Sequence, residues 1–587
     1  MTSAHHRSRR SFATALVCGL SLVAACRSKP ELPSPQAQAS SSARPSGSAL
    51  SDGEVDLTKL LQRAPAPYIP PQCYTKTKDE RGVIHNPCYT CHSEPQKPNY
   101  VVDADLQLAF AFPERARQNP WTNLFVDRRP FIAATSDEKM LKYVRTSNYS
   151  NGKRNLLAER LKHAPAAWDR NGDGHWGGYV PDAGFDFDSQ GFDKNARGEF
   201  TGWRAYAYRP FPGTFWPTNG SAGDVLIRLP EVFRQDEAGK FDQLIYALNL
   251  AIVEALAKRS DVAIPRTNEK QLHVDLDKNG RLGTATKVKF EWAPRNKQYM
   301  HYVGRARLAL EAGEVQLAAG LLPEGTELLH SVRYLDVKDG RVAMAARMKE
   351  LRYARKVAWK TYSDLEQLAA REVREKRAFP DRVKQVYFDL EGGASNSQGW
   401  RYQGFIEDNA GQLRPQSYEE TAFCVGCHGG TSATTDGVFS FVRKLSAKQP
   451  QYGWYHWTQH GLDTVPDSKR GDGNYEYAHY LQTNGAGDEF RSNEDLLSRF
   501  FEKGQPRREE LERLRGDVAT LIVPSAKRAL ELDKAYWAVV LEQSYHRGRD
   551  AVLAPARNVH RRVEPELPTG VRVPVHASWQ RPSLAQR

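Results

Sequence analysis

Methionine, cysteine and long apolar runs are all scarce in this chain of 587 residues, which has five methionines and seven cysteines. After the first thirty residues, no apolar run approaches the ~20 residues that a helix needs to cross a bilayer, so a polytopic membrane protein is excluded. The formal charge is +13, but no nucleic-acid-binding motif accompanies it. The basic surface therefore indicates solubility and attraction to anionic surfaces, with no nucleic acid as partner.

The N-terminus has the composition of an export signal. Three arginines precede a short apolar segment, and Val23-Ala24-Ala25-Cys26 resembles a bacterial lipoprotein box. That resemblance implies a signal peptide at 1–25 and lipidation of Cys26, although an ordinary cleavage site is an alternative. Residues 27–52 are rich in Ser, Pro, Ala and Gln, which predicts a flexible tether at 26–66. The protein is expected to be exported to the periplasm or cell surface, anchored at the outer membrane.

Four cysteines lie in two identical patterns, Cys88-x-x-Cys91-His92 and Cys424-x-x-Cys427-His428. This spacing lets two thiols reach the two vinyl groups of a porphyrin while the next histidine binds the iron. The sequence here resembles the c-type cytochromes, over the two motifs and their immediate flanks. The resemblance implies two covalently bound haem c groups. A zinc site and a pair of disulfides are the alternatives.

The same resemblance makes His92 and His428 the proximal iron ligands and leaves the sixth ligands to be found. No methionine follows His428, so a histidine is expected at the second haem, with His456 as the candidate. Met140 is the candidate for the first haem. The alternatives are His460 and His479 for the second haem, and His163, His175 and His330 for the first. Cys73 is left over as a buried thiol, a haem ligand or an intermolecular disulfide partner.

Two loops match the first half of a calcium-binding loop, with oxygen ligands at alternate positions and a glycine at the turn. The first contains Asp169, Asn171 and Asp173, and the second contains Asp275, Asp277 and Asn279. Both lack the glutamate at position twelve. Calcium is therefore a weaker prediction than haem, and the alternative is a turn that satisfies its own backbone.

The predicted fold class is α+β, with two loop-rich or helical cytochrome c haem regions that flank or pack on a mixed α/β middle region. Apolar spacing predicts a helix over 241–258 and strands over 327–335 and 342–347, and composition predicts a long helix over 350–376. The predicted regions are a first haem c region at 67–160, the middle region at 161–395, a second haem c region with C-terminal helices at 396–545 and an extended basic tail at 546–587.

These features together predict an exported di-haem c-type cytochrome that transfers electrons to and from other redox proteins. The alternative is a di-haem peroxidase or oxygenase in which one haem is reactive. The large middle region favours the alternative, because it is more protein than electron transfer alone requires. An electron carrier is preferred over an enzyme because the sequence resembles the di-haem enzymes only in the motifs.

Overall fold

A ten-stranded antiparallel sheet organises the computed structural model of this protein. The structure describes residues 69–78, 82–86, 88–92, 97–100, 112–212, 216–382, 386–430, 434–445, 453–484, 493–564 and 575. The predicted signal peptide, Cys26 and the tether lie outside these residues. All described residues belong to one compact unit, Ser46–Arg587. The boundaries predicted within that unit stay a prediction.

The strands are short at the sheet edges and long at its centre. They are β1 Thr77–Lys78, β2 Ile84–His85, β3 Asp186–Phe187, β4 Phe192–Lys194, β5 Phe200–Tyr206, β6 Val225–Arg228, β7 Val262–Asn268, β8 Thr284–Val288, β9 Glu327–Lys338, β10 Arg341–Lys356, β11 Phe388–Asp389, β12 Gly393–Ser395, β13 Trp400–Glu407, β14 Leu413–Pro415, β15 Phe501–Glu502 and β16 Gln505–Pro506.

Most helices are short, and three exceed fifteen residues. They are α1 Glu114–Arg117, α2 Arg129–Ala134, α3 Asp137–Arg145, α4 Leu156–Lys162, α5 Gln243–Lys258, α6 Arg305–Glu311, α7 Tyr362–Ala378, α8 Tyr418–Cys427, α9 Trp457–His460, α10 Glu476–Asn484, α11 Glu494–Phe500, α12 Arg508–Gly516, α13 Ala519–Ile522 and α14 Ala526–Glu542. Further 3-10 turns include Pro71–Tyr74, Cys88–Thr90 and Pro217–Asn219.

The large sheet has the order β11-β12-β13-β10-β9-β6-β5-β4-β3, and β14 pairs with β13. Neighbouring residues of a strand point to opposite faces of the sheet. Both faces of its central strands pack into apolar clusters. On β9, Leu328 packs into one apolar cluster and Leu329 into another. Helices cover the sheet, with α14 packed on β9 and α8 packed on β12 and β13.

The predicted fold class is wrong in its central feature, because the described residues do not form two separate helical cytochrome regions. One antiparallel sheet runs from Asp186 to Pro415 and crosses the predicted boundary at 395/396. The first motif lies in a 3-10 turn, and the second lies at the end of a single helix packed on the sheet.

The predicted long helix over 350–376 is also wrong in its first half. Glu350 to Lys356 continue β10, and the helix begins only at Tyr362. The segment is rich in helix formers, but β9 and β13 pair with it from both sides, and this pairing outweighs local propensity. The helix predicted over 241–258 is confirmed as Gln243–Lys258.

The C-terminal segment packs on the first part of the described chain. Val559 forms an isolated bridge with Thr75, and Arg562 forms one with Gln118. Val552, Ala556, Val559 and Val563 are buried in one cluster with Ile69, Tyr74, Trp121 and Leu124. No described helix is long and apolar enough to cross a membrane.

Candidate functional site

Both cysteine motifs open onto one cavity. It has a volume of about 380 Å³, which falls within the range typical of ligand sites, roughly 300–1,000 Å³. Aromatic side chains from distant parts of the chain form much of its wall, among them Tyr206, Tyr208, Trp216, Phe423, Phe439 and Tyr536. The motif residues that line it are Cys88, Cys91, His92, Cys424, Cys427 and His428, together with Cys73.

The two motifs have the same local backbone conformation. The backbone N–H of His92 donates to the carbonyl of Cys88 at 3.0 Å, and that of His428 donates to the carbonyl of Cys424 at 2.9 Å. This bond closes one helical turn, so residues three apart lie on the same face. Each pair of cysteines therefore presents its thiols on one side, with the histidine directly after them.

The second motif sits on a helix with a well-defined start. Ser417 caps α8, and the side chain of Glu420 accepts a hydrogen bond from the backbone N–H of Ser417 at 2.8 Å. Arg414 holds the same carboxylate with two nitrogens, at 2.8 and 2.9 Å. Since both charged side chains are buried, this pair fixes the direction of the helix that ends at Cys427.

His428 is held in the form that binds a metal. Its Nδ1 lies 3.2 Å from the carbonyl oxygen of Gly437, and a carbonyl can only accept. Nδ1 therefore carries the proton, and Nε2 keeps its lone pair. Burial lowers the pKa of His428 to about 4, so the imidazole is neutral at pH 7. Tyr402 and Phe439 flank the ring, each at 5.2 Å between centroids.

Thiols of the two motifs line the same cavity and affect one another's ionisation. Burial raises the pKa of Cys427 to about 12, and the neighbouring thiols of Cys91 and Cys424 add to the rise. Burial likewise raises the pKa of Cys73, with smaller contributions from Cys88, Cys427 and Cys91. Cys91 and Cys427 belong to different motifs, and both line the same cavity. In the described chain these cysteines form no disulfides.

A family described as "-like lipoprotein" matches residues 57–513. An "Uncharacterized lipoprotein" of Aquifex aeolicus (strain VF5) is 31% identical over 549 residues, covering 86% of this chain and 89% of the relative. The chain belongs to this lipoprotein family. No solved structure matches it. Membership in a lipoprotein family supports the predicted export and lipid anchor, without specifying the membrane.

The resemblance to the c-type cytochromes is wrong as an assignment of family. The family that matches most of this lipoprotein is a different one. The physical reason is that a five-residue attachment motif constrains only the local turn around two thiols and an imidazole. It does not constrain the several hundred residues that form the sheet. Neither the family match nor the relative's name says what the two motifs bind.

The two predicted sixth ligands do not lie in the cavity wall. Met140 is fully buried on α3, where it packs with Val144 and Tyr334. His456 lies with Nε2 2.7 Å from a carboxylate oxygen of Asp224, and its ring stacks on Phe187 at 4.5 Å. Neither residue lines the cavity.

Another histidine does line the cavity. His330 on β9 borders it beside Trp216, whose ring stacks on the imidazole at 4.3 Å and 15°. The sequence named His330 only as an alternative for the first haem, because distance along the chain does not reveal which strand faces a motif. Arg352 and Arg549 also line the cavity, and no motif marked them.

The two predicted calcium loops differ in the structure. In the first, Asp169 accepts the backbone N–H groups of Gly172 and Gly174, both at 2.7 Å, so the turn satisfies itself. Asn171 and Asp173 accept backbone N–H groups in the same way.

In the second loop, ligand oxygens of Asp275, Asp277 and the buried Glu269 lie within 4.8 Å of one another. Glu269 precedes the loop, where the half-motif gave no reason to look. Asn279 accepts the backbone N–H of Arg281 at 2.9 Å. Glu269 also accepts three backbone N–H groups, from Leu276, Asp277 and Gly283, so calcium stays a prediction here.

Proposed function

We propose that this lipoprotein attaches two haem groups covalently in one cavity and transfers electrons between redox partners outside the cytoplasm. The observation that carries the proposal is the convergence of both Cys-x-x-Cys-His motifs on a single aromatic-lined cavity. Haem, when bound, supplies an iron that gains and loses one electron.

The attachment chemistry requires no oxidant. Each thiol would add its S–H across a vinyl group of the haem, so that sulfur bonds to one carbon and the hydrogen to the other. Burial raises the pKa of Cys91, Cys424 and Cys427, which keeps these groups as thiols at neutral pH. The neutral, oriented imidazole of His428 would hold the haem iron through Nε2.

The cavity wall also suits the polar edge of a porphyrin. Guanidinium groups of Arg352, Arg443 and Arg549 line it, and cations of this kind pair with propionate carboxylates. Arg352 and Arg549 share one acidic partner, Glu350, at 2.9 and 2.7 Å. One carboxylate therefore faces two cations, which leaves positive charge for a bound acid.

Zinc is the less favoured ligand for the same cysteines and histidines. A zinc ion holds sulfur ligands at about 2.3 Å, so its ligand atoms lie within roughly 4 Å of one another. Across the described residues, the groups of three or more ligand atoms within 4.8 Å include no cysteine or histidine. The thiols and imidazoles are spread around the cavity, as attachment to a larger ligand requires.

The test is intact-mass measurement of the exported chain, made in cells with a haem-attachment system. Two haem additions are expected. The double variants Cys88→Ser/Cys91→Ser and Cys424→Ser/Cys427→Ser should each carry one haem, and the matched control Cys73→Ser should carry two. A chain that carries zinc and no haem overturns the proposal. Rapid turnover of peroxide by the two-haem protein would replace electron transfer with the peroxidase alternative.

A further inference from the structure

His330 is a deeply placed imidazole with a nitrogen that makes no hydrogen bond. Its Nε2 is buried and has no partner within the described residues. The side chain of His330 is half-buried, and it lines the cavity. An unpaired buried polar nitrogen destabilises the folded protein. Such a cost is commonly offset by a ligand that the nitrogen binds.

The sheet fixes the position of this imidazole. His330 pairs with Val225 on one side and Arg352 on the other, so the three side chains stand in one row on one face. All three line the cavity. Trp216 stacks on the imidazole and Tyr208 meets it edge-on at 6.3 Å, which limits rotation of the ring.

The charge state of His330 suits coordination. Burial lowers its pKa well below the usual range, and the positive charge of Arg352 lowers it further. The imidazole is therefore neutral at physiological pH, which is the form that binds iron. His428 follows α8, which packs on β13 of the same sheet, two strands from β9, and both His330 and His428 line the cavity.

The other candidates for this role are less suitable. No methionine lines the described part of the cavity, and its histidines there are His92, His330 and His428. His456 does not line the cavity, and its Nε2 lies 2.7 Å from a carboxylate oxygen of Asp224 and its Nδ1 2.5 Å from the hydroxyl of Thr458. Among the described histidines, His330 alone combines access to the cavity with an unpaired nitrogen and a position outside the motifs.

We propose that His330 is the second axial ligand of the haem attached at Cys424 and Cys427, opposite His428. This inference rests on the proposed haem attachment. It predicts that two neutral imidazoles hold this iron, which gives a low-spin centre closed to peroxide. An electron carrier needs such a centre, and a peroxidase needs an open or displaceable position.

The experiment uses the Cys88→Ser/Cys91→Ser protein, which should carry only the second haem. Its optical and EPR spectra are expected to be low-spin with two imidazole ligands. Adding His330→Ala should convert the haem to high spin, and free imidazole should restore the low-spin spectrum. The matched control His456→Ala should leave the spectrum unchanged. His330→Met, which keeps a coordinating side chain, should produce a weak sulfur-to-iron absorption band.

The outcomes separate this inference from the proposal beneath it. Haem attached with a high-spin or methionine-ligated spectrum in the parent protein overturns the role of His330 and leaves haem attachment standing. So does a spectrum that His330→Ala leaves unchanged. A chain without covalent haem overturns both. If His330→Ala does not load, the His330→Met spectrum decides, since an unchanged bis-imidazole spectrum there excludes His330.

Discussion

The carbonyl oxygen of Gly437 lies 3.2 Å from Nδ1 of His428 and fixes the tautomer of that imidazole. A second contact holds the same residue, because Asn396 donates to the backbone carbonyl of His428 at 3.0 Å. The histidine is therefore oriented from both its ring and its backbone before any ligand is bound. Preorganisation of this kind reduces the entropy lost on binding.

The helix that carries Cys424 and Cys427 depends on a buried ion pair at its start. We predict that Arg414→Ala lowers the free energy of unfolding by about 3–5 kcal/mol, because it leaves Glu420 charged and unpaired in the interior. Urea unfolding measures this change. The control is Arg513→Ala, which removes an arginine that is 63% exposed from its pair with Glu510 and should cost less than about 1 kcal/mol. Equal losses in the two variants would contradict the prediction.

A buried carboxylate at the cavity should make stability depend on acid pH. Burial opposes ionisation of Glu350, but the guanidinium groups of Arg352 and Arg549 outweigh it and lower its pKa from 4.5 to about 2. Its stabilising contribution is full above pH 4.5, where the unfolded chain is also ionised. It is lost as the pH falls from 4.5 to 2, since the unfolded state takes up the proton first. The contribution is on the order of 3 kcal/mol.

The variant Glu350→Gln tests this pH dependence. It should be less stable than the parent protein at pH 7, and the difference in unfolding free energy should narrow as the pH falls towards 2. Glu375→Gln is the control, because Glu375 pairs with Arg382 at the surface, where both are about half exposed. Its small effect should not change with pH. If the difference in unfolding free energy between Glu350→Gln and the parent protein does not change with pH, the arginines do not hold the carboxylate ionised.

Sequence reasoning succeeded where the signal is local. The helix Gln243–Lys258 follows from apolar spacing, and the motif turns follow from thiol and imidazole chemistry. It failed where partners lie far along the chain. Glu350 to Lys356 have helical composition, yet pairing with β9 and β13 makes them a strand. His330 joins the cavity through strand register, which no spacing along the sequence reveals.

The number of reactive thiols distinguishes motifs attached to haem from motifs that bind a metal, bind nothing or form disulfides. For a chain exported with a standard soluble signal in place of residues 1–26, the proposal predicts one thiol after denaturation, that of Cys73, because thioethers do not react. A thiol reagent in urea gives the count. Treatment with dithiothreitol should leave it at one. Five thiols in the denatured chain would indicate metal or no ligand, and five only after dithiothreitol would indicate disulfides.

The cavity should also protect Cys73 in the folded protein. Burial raises the pKa of this thiol, and only the thiolate reacts quickly with alkylating reagents. We therefore expect alkylation at pH 8 to be at least about tenfold slower in the folded protein than in urea. The rate is followed by mass spectrometry of the peptide that contains Cys73. Equal rates in the two states would contradict a raised pKa of Cys73 in the folded protein.

The anchor is predicted to be the lipid at Cys26. The chain belongs to a lipoprotein family, and the box Val23-Ala24-Ala25-Cys26 supplies the modified residue. Each buried methylene of an acyl chain contributes about 0.8 kcal/mol to membrane binding, so several chains hold a protein firmly. Cys26→Ser should therefore move the protein from the membrane fraction to the soluble exported fraction. Cys73→Ser should stay with the membrane. A Cys26→Ser protein that still partitions into detergent would indicate an anchor elsewhere in the chain.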